Sequence, residues 1–305
     1  MKNSRIVGVG ACVMDTLINL PRFPAEDTKL RAYGSRPAGG GPVATGLVAA
    51  SKLGVDSAYI GVLSDDSGGK FLINDFEKYG TDTSLVRIKD GYRSFTSVIW
   101  LSEQSATRTC VFDKGNLPPL ELDLEQKEAI RAAEVLMVDG NELRGAVQAA
   151  KIARAAGVKV LYDCGGLYDG IEELLGLTDI CIPSEEFALG HTGADTAEDA
   201  AKILFERYRP EIVVITQGVA GGIIYDGKVV RRYPAFTVDA KDTNGSGDVF
   251  HGAFAAGICF GYAYEKCCYF SSAVSAIKCT GVGARESVPE LGTVKEFLKE
   301  YGYEL

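Results

Sequence analysis

Asp242-Thr243-Asn244-Gly245-Ser246-Gly247-Asp248 is the stretch that decides how the rest of this chain is read. It lies between a strand-like run ending near Val238 and a long apolar, helix-like run from Val249 to Tyr262. Gly245, Ser246 and Gly247 are small enough for the backbone to turn tightly and present successive N–H groups outward. The helix that follows adds the positive end of its dipole at the same place. Together they form a cradle for an anion, with one carboxylate, Asp248, at its rim. An anion hole beside a general base is what transfer of a phosphoryl group to a hydroxyl requires. The plainer reading is a capping turn, in which Asp242 or Asn244 caps the helix and the glycines serve the bend.

The 305 residues around this stretch are 46% hydrophobic and 24% charged, the balance of a globular enzyme of one large domain or two smaller ones. The net charge of −9, from 41 acidic and 32 basic residues, is spread along the chain and demotes nucleic-acid binding. Any anionic ligand must then be met by local amides, Lys or Arg. The eight cysteines include no Cys-x-x-Cys pair and there are only two histidines, which argues against a structural zinc site. Most of the cysteines sit in apolar runs, where a thiol acts as a small buried hydrophobe. Met1 to Arg5 lead straight into strand-like Ile6–Val9, with no signal-peptide pattern and no apolar run of membrane-spanning length. A cytoplasmic location with reduced thiols is the expectation.

Strand-length apolar runs alternate with helix-period segments, which predicts an α/β fold with a mostly parallel sheet covered on both faces. The strands are Ile6–Val9, Ser57–Ile60, Val135–Val138, Val158–Tyr162, Ile180–Ile182 and Ile212–Thr216. Helices are predicted over Val43–Leu53, Gly69–Tyr79, Gly145–Ala156, Ala197–Phe205, Asp248–Phe260, Tyr264–Cys279 and Val294–Tyr301. Residues 11–36 and 91–113 break the pattern with alternating or β-branched stretches such as Ser97-Val98-Ile99-Trp100-Leu101, which read as antiparallel strands of a small projecting sheet. Two nucleotide motifs fail on spacing. Gly8-Val9-Gly10 lacks its third glycine, because Val13 stands there, and Ser64–Phe71 lacks the first Gly and terminal Ser/Thr of a Walker A loop.

The full string Asp242–Asp248 resembles the Asp-Thr-x-Gly-Ala/Ser-Gly-Asp signature of the PfkB (ribokinase-like) carbohydrate kinases, and the likeness runs from Gly8 to Pro289. The resemblance implies a single ribokinase-like domain over residues 1–305, with the small sheet as a lid over the sugar. Its activity would be ATP- and Mg²⁺-dependent phosphorylation of a hydroxymethyl group on a small sugar. In these terms Asp248 is the base, and Gly245, Ser246 and Gly247 hold the transferring phosphoryl. A nucleoside kinase of the same fold and a non-catalytic sugar sensor are the alternatives, and pairing of two lids in a homodimer is left open.

On the acceptor side, Asp15 follows the first strand; alone it reads as a surface carboxylate, yet a carboxylate can accept two hydroxyl protons at once. Family members place an Asp here for the sugar. Gly39-Gly40-Gly41-Pro42-Val43-Ala44-Thr45 opens a helix with Pro42 at its start, and bare glycine backbone allows a sugar to approach closely. Gly40 and Gly41 match the family's Gly-Gly, while Thr45 stands where the family has Asn. This variant resembles a subgroup that includes the sulfofructose kinases, which use an Arg where this chain has Asn141. Lys29 in the lid is either a solvated charge or a grip on an anionic substrate.

On the nucleotide side, Thr216-Gln217-Gly218-Val219-Ala220-Gly221 is either a turn into a hairpin or, by resemblance, the loop along the ATP phosphates. By the same resemblance Ala276, Lys278, Thr280 and Gly283 lie where relatives wrap the adenine and, in some members, hold K⁺ with main-chain carbonyls. Asp242, Asn244 and Ser287 would complete a K⁺ site found in some members. Glu185 is all that remains of an Asn-x-x-Glu motif, and would reach Mg²⁺ through water. His251, one turn after Asp248, has no partner motif and reads as a packing residue on a helix lined by Phe250, Phe254 and Ile258.

Overall fold

The computed structural model describes residues 4–105 and 107–305. The chain runs β1 (Ile6–Val9), β2 (Val13–Leu20), β3 (Gly34–Gly40), α1 (Pro42–Lys52), β4 (Ser57–Tyr59), β5 (Gly61–Ser64), α2 (Ser67–Lys78) and β6 (Val86–Lys89). It continues with β7 (Thr96–Ser102), β8 (Thr107–Asp113), α3 (Leu124–Ala132), β9 (Val135–Asp139), α4 (Leu143–Ala156), β10 (Lys159–Cys164), α5 (Glu172–Leu175) and β11 (Ile180–Pro183). The last part holds α6 (Glu185–Thr192), α7 (Ala197–Tyr208), β12 (Ile212–Thr216), β13 (Gly222–Tyr225), β14 (Val230–Tyr233), α8 (Ser246–Cys259), α9 (Tyr264–Cys279) and α10 (Leu291–Glu300).

Eight strands form the central sheet in the order β14-β13-β12-β11-β10-β9-β1-β4. Neighbours from β4 to β12 run parallel, and β13 and β14 close the other edge antiparallel. Successive strand residues alternate between two cores, as the pleat requires. Ile6 belongs to the core that includes Leu47, Phe76, Phe254 and Phe270 on the side of α1, α2, α8 and α9, whereas Val7 belongs to the core that includes Ile130, Ala150 and Leu204 on the side of α3, α4 and α7. This is the ribokinase-like arrangement expected from the sequence. The cysteines are all free and, Cys110 apart, buried.

The projecting sheet has the order β3-β2-β7-β8. β2 pairs antiparallel with β3, and β7 with β8, as predicted, while β2 and β7 join in parallel. Its edge strand β3 reaches Gly40, so the glycine run at 39–41 ends that strand and starts α1 in one step. The strand-like run expected near Val238 is absent: β14 ends at Tyr233, Pro234 follows, and residues 234–242 leave the sheet without regular structure. α3 and α6 were not anticipated, although each carries a legible start. Asp123 and Gln126 form a reciprocal capping box on α3, and the Ser184 hydroxyl accepts from the Phe187 N–H on α6.

Helices α1 and α8, which carry the two halves of the site, are locked together by a glycine contact. A side chain at Gly252 would come 2.0 Å from the Gly46 carbonyl oxygen, so no other residue permits this approach. Gly46 in turn sits beside the backbone of Asp248.

Candidate active site

Helix α8 begins where the sequence placed the anion cradle. Gly245 caps it at φ 73°, a left-handed conformation that disfavours a side chain, and no side chain caps the first turn. The Ser246 N–H donates to the Thr243 carbonyl (3.2 Å), which closes the turn. Space is open beside the Gly247 Cα. Asp242 braces the turn from behind rather than capping the helix: its carboxylate accepts the N–H groups of Asn244 and Gly283, each at 2.8 Å. Asp248 is half-buried at the end of this turn. Burial raises its pKa, opposed by His251, Arg108, Arg285 and Lys278.

A cavity of about 430 Å³ opens on one side of the turn, and Ser246 and Gly247 form part of its wall. Thr216, Gly218, Gly221 and Ala276, which the resemblance assigns to the nucleotide, are among its lining residues. The sequence reading missed its apolar wall of Tyr233, Phe236, Val238 and Phe250, which the end of β14, the irregular 234–242 segment and α8 supply. Thr280 and Gly283 do not line it. The Thr280 hydroxyl bonds back to the Ile277 carbonyl (2.7 Å), and Gly283 serves the Asp242 brace. Glu185, at the start of α6, is held by the Gln217 side-chain amide at 2.6 Å.

The residues expected to hold the acceptor lie on β2, at the end of β3 and at the start of α1. Asp15, on β2 and 7% exposed, accepts from the Ser97 hydroxyl at 2.6 Å. Burial pushes its carboxyl up to about 6, with Ser97 and Arg285 opposing and Asp248 adding to the rise. A side chain at Gly40 would meet the Asp15 carboxylate at 2.0 Å, so glycine is required there. Gly41 is the N-cap of α1.

Thr45 is fully buried, and its hydroxyl faces the Arg285 guanidinium (3.4 Å) rather than an open pocket. Arg285, 1% exposed and invisible to motif reading, also donates to the Gly40 carbonyl (2.7 Å) and pairs with Asp75 at 2.6 Å. It therefore ties the loop after α9 to the acceptor wall. Asn141 lines a second cavity of about 200 Å³ with Gly10, Cys12 and Lys114. It is fixed there by Asp139, whose carboxylate accepts from the N–H groups of Asn141 (2.8 Å), Ala11 (2.8 Å) and Val43 (3.3 Å). Lys29 is exposed in the connection between β2 and β3 and lines neither cavity.

His251 has partners that no local motif announced. Nδ1 meets the Gly247 carbonyl (2.7 Å) and the Asp163 carboxylate (3.3 Å), and Nε2 meets the Ile182 carbonyl (2.9 Å). The imidazole stitches the anion-hole turn to the ends of β10 and β11. Burial pushes the Asp163 carboxyl up to about 7 against the pull of His251.

Comparison with known proteins identifies the family and the fold. Residues 3–291 match the profile of the pfkB family carbohydrate kinases. A ribokinase from Haemophilus influenzae is 30% identical over 297 residues, covering 95% of this chain and 97% of the relative. A 5-dehydro-2-deoxygluconokinase from Shouchella clausii is 28% identical, covering 98% and 97%. The structure of Arabidopsis thaliana ribokinase complexed with ribose and ATP superposes with a TM-score of 0.87 at 24% identity, covering 97% of this chain and 99% of that one, which establishes a shared fold.

Proposed function

The chain belongs to the pfkB family of carbohydrate kinases and is an ATP-dependent sugar kinase; from that premise we propose that it phosphorylates a hydroxymethyl group of a small sugar, with Asp248 as the general base. The observation that carries this reading is the position of the Gly245–Asp248 turn. Its Ser246 and Gly247 form part of the wall of the 430 Å³ cavity, and Asp248 backs onto Gly46 of α1, the helix that follows Gly40 and the Asp15 carboxylate packed against it.

ATP would lie in the large cavity, along Thr216, Gly218 and Gly221, with its base against the apolar wall and its γ-phosphate at the turn. The sugar would be held by Asp15 and the bare backbone at Gly40 and Gly41, with Asn141 and the second cavity at its far end. Asp248 takes the hydroxyl proton as the oxygen attacks the γ-phosphorus. The bond to the β-phosphate oxygen breaks, ADP leaves, and Asp248 later returns its proton to water. The Gly247 amide and the helix dipole meet the charge on the transferred group. Mg²⁺, when bound with ATP, would neutralise phosphate charge, and Glu185 would be the carboxylate that holds one of its waters. The β2–β3–β7–β8 sheet would close over the acceptor and exclude water that otherwise hydrolyses ATP. Val98 and Val111 on that sheet are 37% and 61% exposed, which supports pairing of two such sheets in a homodimer.

The test is ADP release from Mg-ATP across D-ribose, D-fructose, 5-dehydro-2-deoxygluconate, sulfofructose, fructose phosphates and nucleosides. The expected result is one sugar with kcat/KM at least about 10⁴ M⁻¹s⁻¹. A nucleoside as the preferred acceptor, or sugar binding without ADP release, would contradict the proposal.

A further inference from the structure

Asp242, Asn244 and Ser287 are the residues at which family resemblance leads to an expected K⁺ ion, and in this chain their oxygen atoms are already engaged. Lys278, in the last turn of α9, is fully buried. Its Nζ donates to the main-chain carbonyl of Asp242 at 2.8 Å and to that of Asn244. The Asp242 carboxylate takes the N–H groups of Asn244 and Gly283, and the Ser287 hydroxyl donates to the Val282 carbonyl at 2.9 Å. These residues therefore do not fit a K⁺ ion as they stand.

We propose that Lys278 is a tethered cation. Its ammonium takes the place of a monovalent metal ion behind the Asp242–Gly247 turn, and the enzyme works without K⁺. The inference rests on the reading of that turn as the phosphoryl site.

The physical case has three parts. An ammonium is close to K⁺ in size and prefers the same ligands, main-chain carbonyl oxygens. Drawing the Asp242 and Asn244 carbonyls toward α9 fixes the two peptide planes that lead into Gly245, so the donors of the turn are held for the phosphoryl group without a metal. A positive charge buried behind the turn also acts on the transferred phosphoryl through protein rather than water, where it is weakly screened. A free ion entering the same place would meet that charge at close range. A buried ammonium is costly unless compensated, and carboxylates at Asp242 and Asp248 lie near it. The tether also removes the entropy loss of capturing an ion from solution, because the lysine is fixed when α9 folds.

The experiment compares the native enzyme with Lys278→Ala and Lys278→Met in KCl, NaCl and choline chloride at constant ionic strength. Two quantities are read: the melting temperature without ligands, and ADP release with Mg-ATP and the best acceptor from the panel above. The native protein should show the same melting temperature and the same rate in all three salts. Lys278→Ala, which opens room for an ion, should lose about 10²-fold in rate in choline chloride. It should regain rate and melting temperature specifically in KCl. Lys278→Met fills the volume without charge and should stay slow in every salt. Stimulation or stabilisation of the native enzyme specifically by K⁺ would overturn the proposal, and so would a Lys278→Met enzyme of normal rate. The melting curves need no turnover. If Asp248→Asn proved fully active, the phosphoryl-site reading would fall while the salt dependence of the native protein was still decided.

Discussion

Burial holds the Asp15 carboxyl up to about 6, above the 3.8 of a free aspartate. The native state therefore binds this proton more tightly than the unfolded chain does. On this account ionising Asp15 costs stability: the cost is absent below about pH 4, grows as pH rises and is complete above about 6. Binding runs the other way. Only the carboxylate accepts two hydroxyl protons, so KM for the sugar should rise as pH falls through about 6, while KM for ATP stays flat. Asp15→Asn should raise KM for the sugar at neutral pH and abolish its dependence on pH. A sugar KM in the native enzyme that is flat between pH 5 and about 7 would contradict the assignment. The role proposed for Asp248 was suggested by its place after the Gly245–Gly247 turn, whereas Asp15 alone reads as a surface carboxylate and takes its proposed role from the family resemblance. The place of His251 was not legible, because its partners come from residues 163 and 182, and local sequence carries no trace of contacts at that separation.

At the scale of elements, the periodic segments were read well. Ile6–Val9, Ile212–Thr216 and Tyr264–Cys279 were placed to the residue, since each is an apolar run stopped by turn residues. The 234–242 segment misled, because residues that face a cavity carry the same apolar and β-branched letters as a strand. Most of the site's support depends on the loop after α9, whose sequence announces only glycines. There Arg285 crosses to Asp75, 210 residues away, and to the Gly40 carbonyl. Replacing one member of such a pair leaves a buried charge alone. Arg285→Met should therefore lower unfolding free energy by about 3–5 kcal/mol in a denaturant titration. Adding Asp75→Leu should restore part of that loss, because the orphaned carboxylate is removed with it. A loss in Arg285→Met below about 1 kcal/mol would show that the pair is not the brace described.

At the scale of the molecule, the fold brings together the start of α8, the exit of β1 and the glycine junction of the lid with α1. Each lies at the same edge of the parallel sheet, where open α/β sheets bind ligands. That convergence explains why the fold class was readable from alternation alone, whereas the acceptor was not. The sugar would touch side chains and backbone from at least three separate stretches, around residues 15, 40 and 141, and no one of them encodes the shape of the space between. The resemblance also carried a K⁺ expectation that this chain answers with Lys278, a substitution visible in the sequence only once its carbonyl partners are known. No helix among the described residues is long and apolar enough to cross a membrane.

The measurement that tests the central claim most directly is turnover of Asp248→Asn, which keeps the size of the side chain and removes its basicity. With Mg-ATP and the preferred sugar, kcat should fall by about 10²–10⁴-fold while both KM values and the melting temperature stay near those of the native enzyme. A kcat within about threefold of native would contradict the account, because some other group would then be taking the proton.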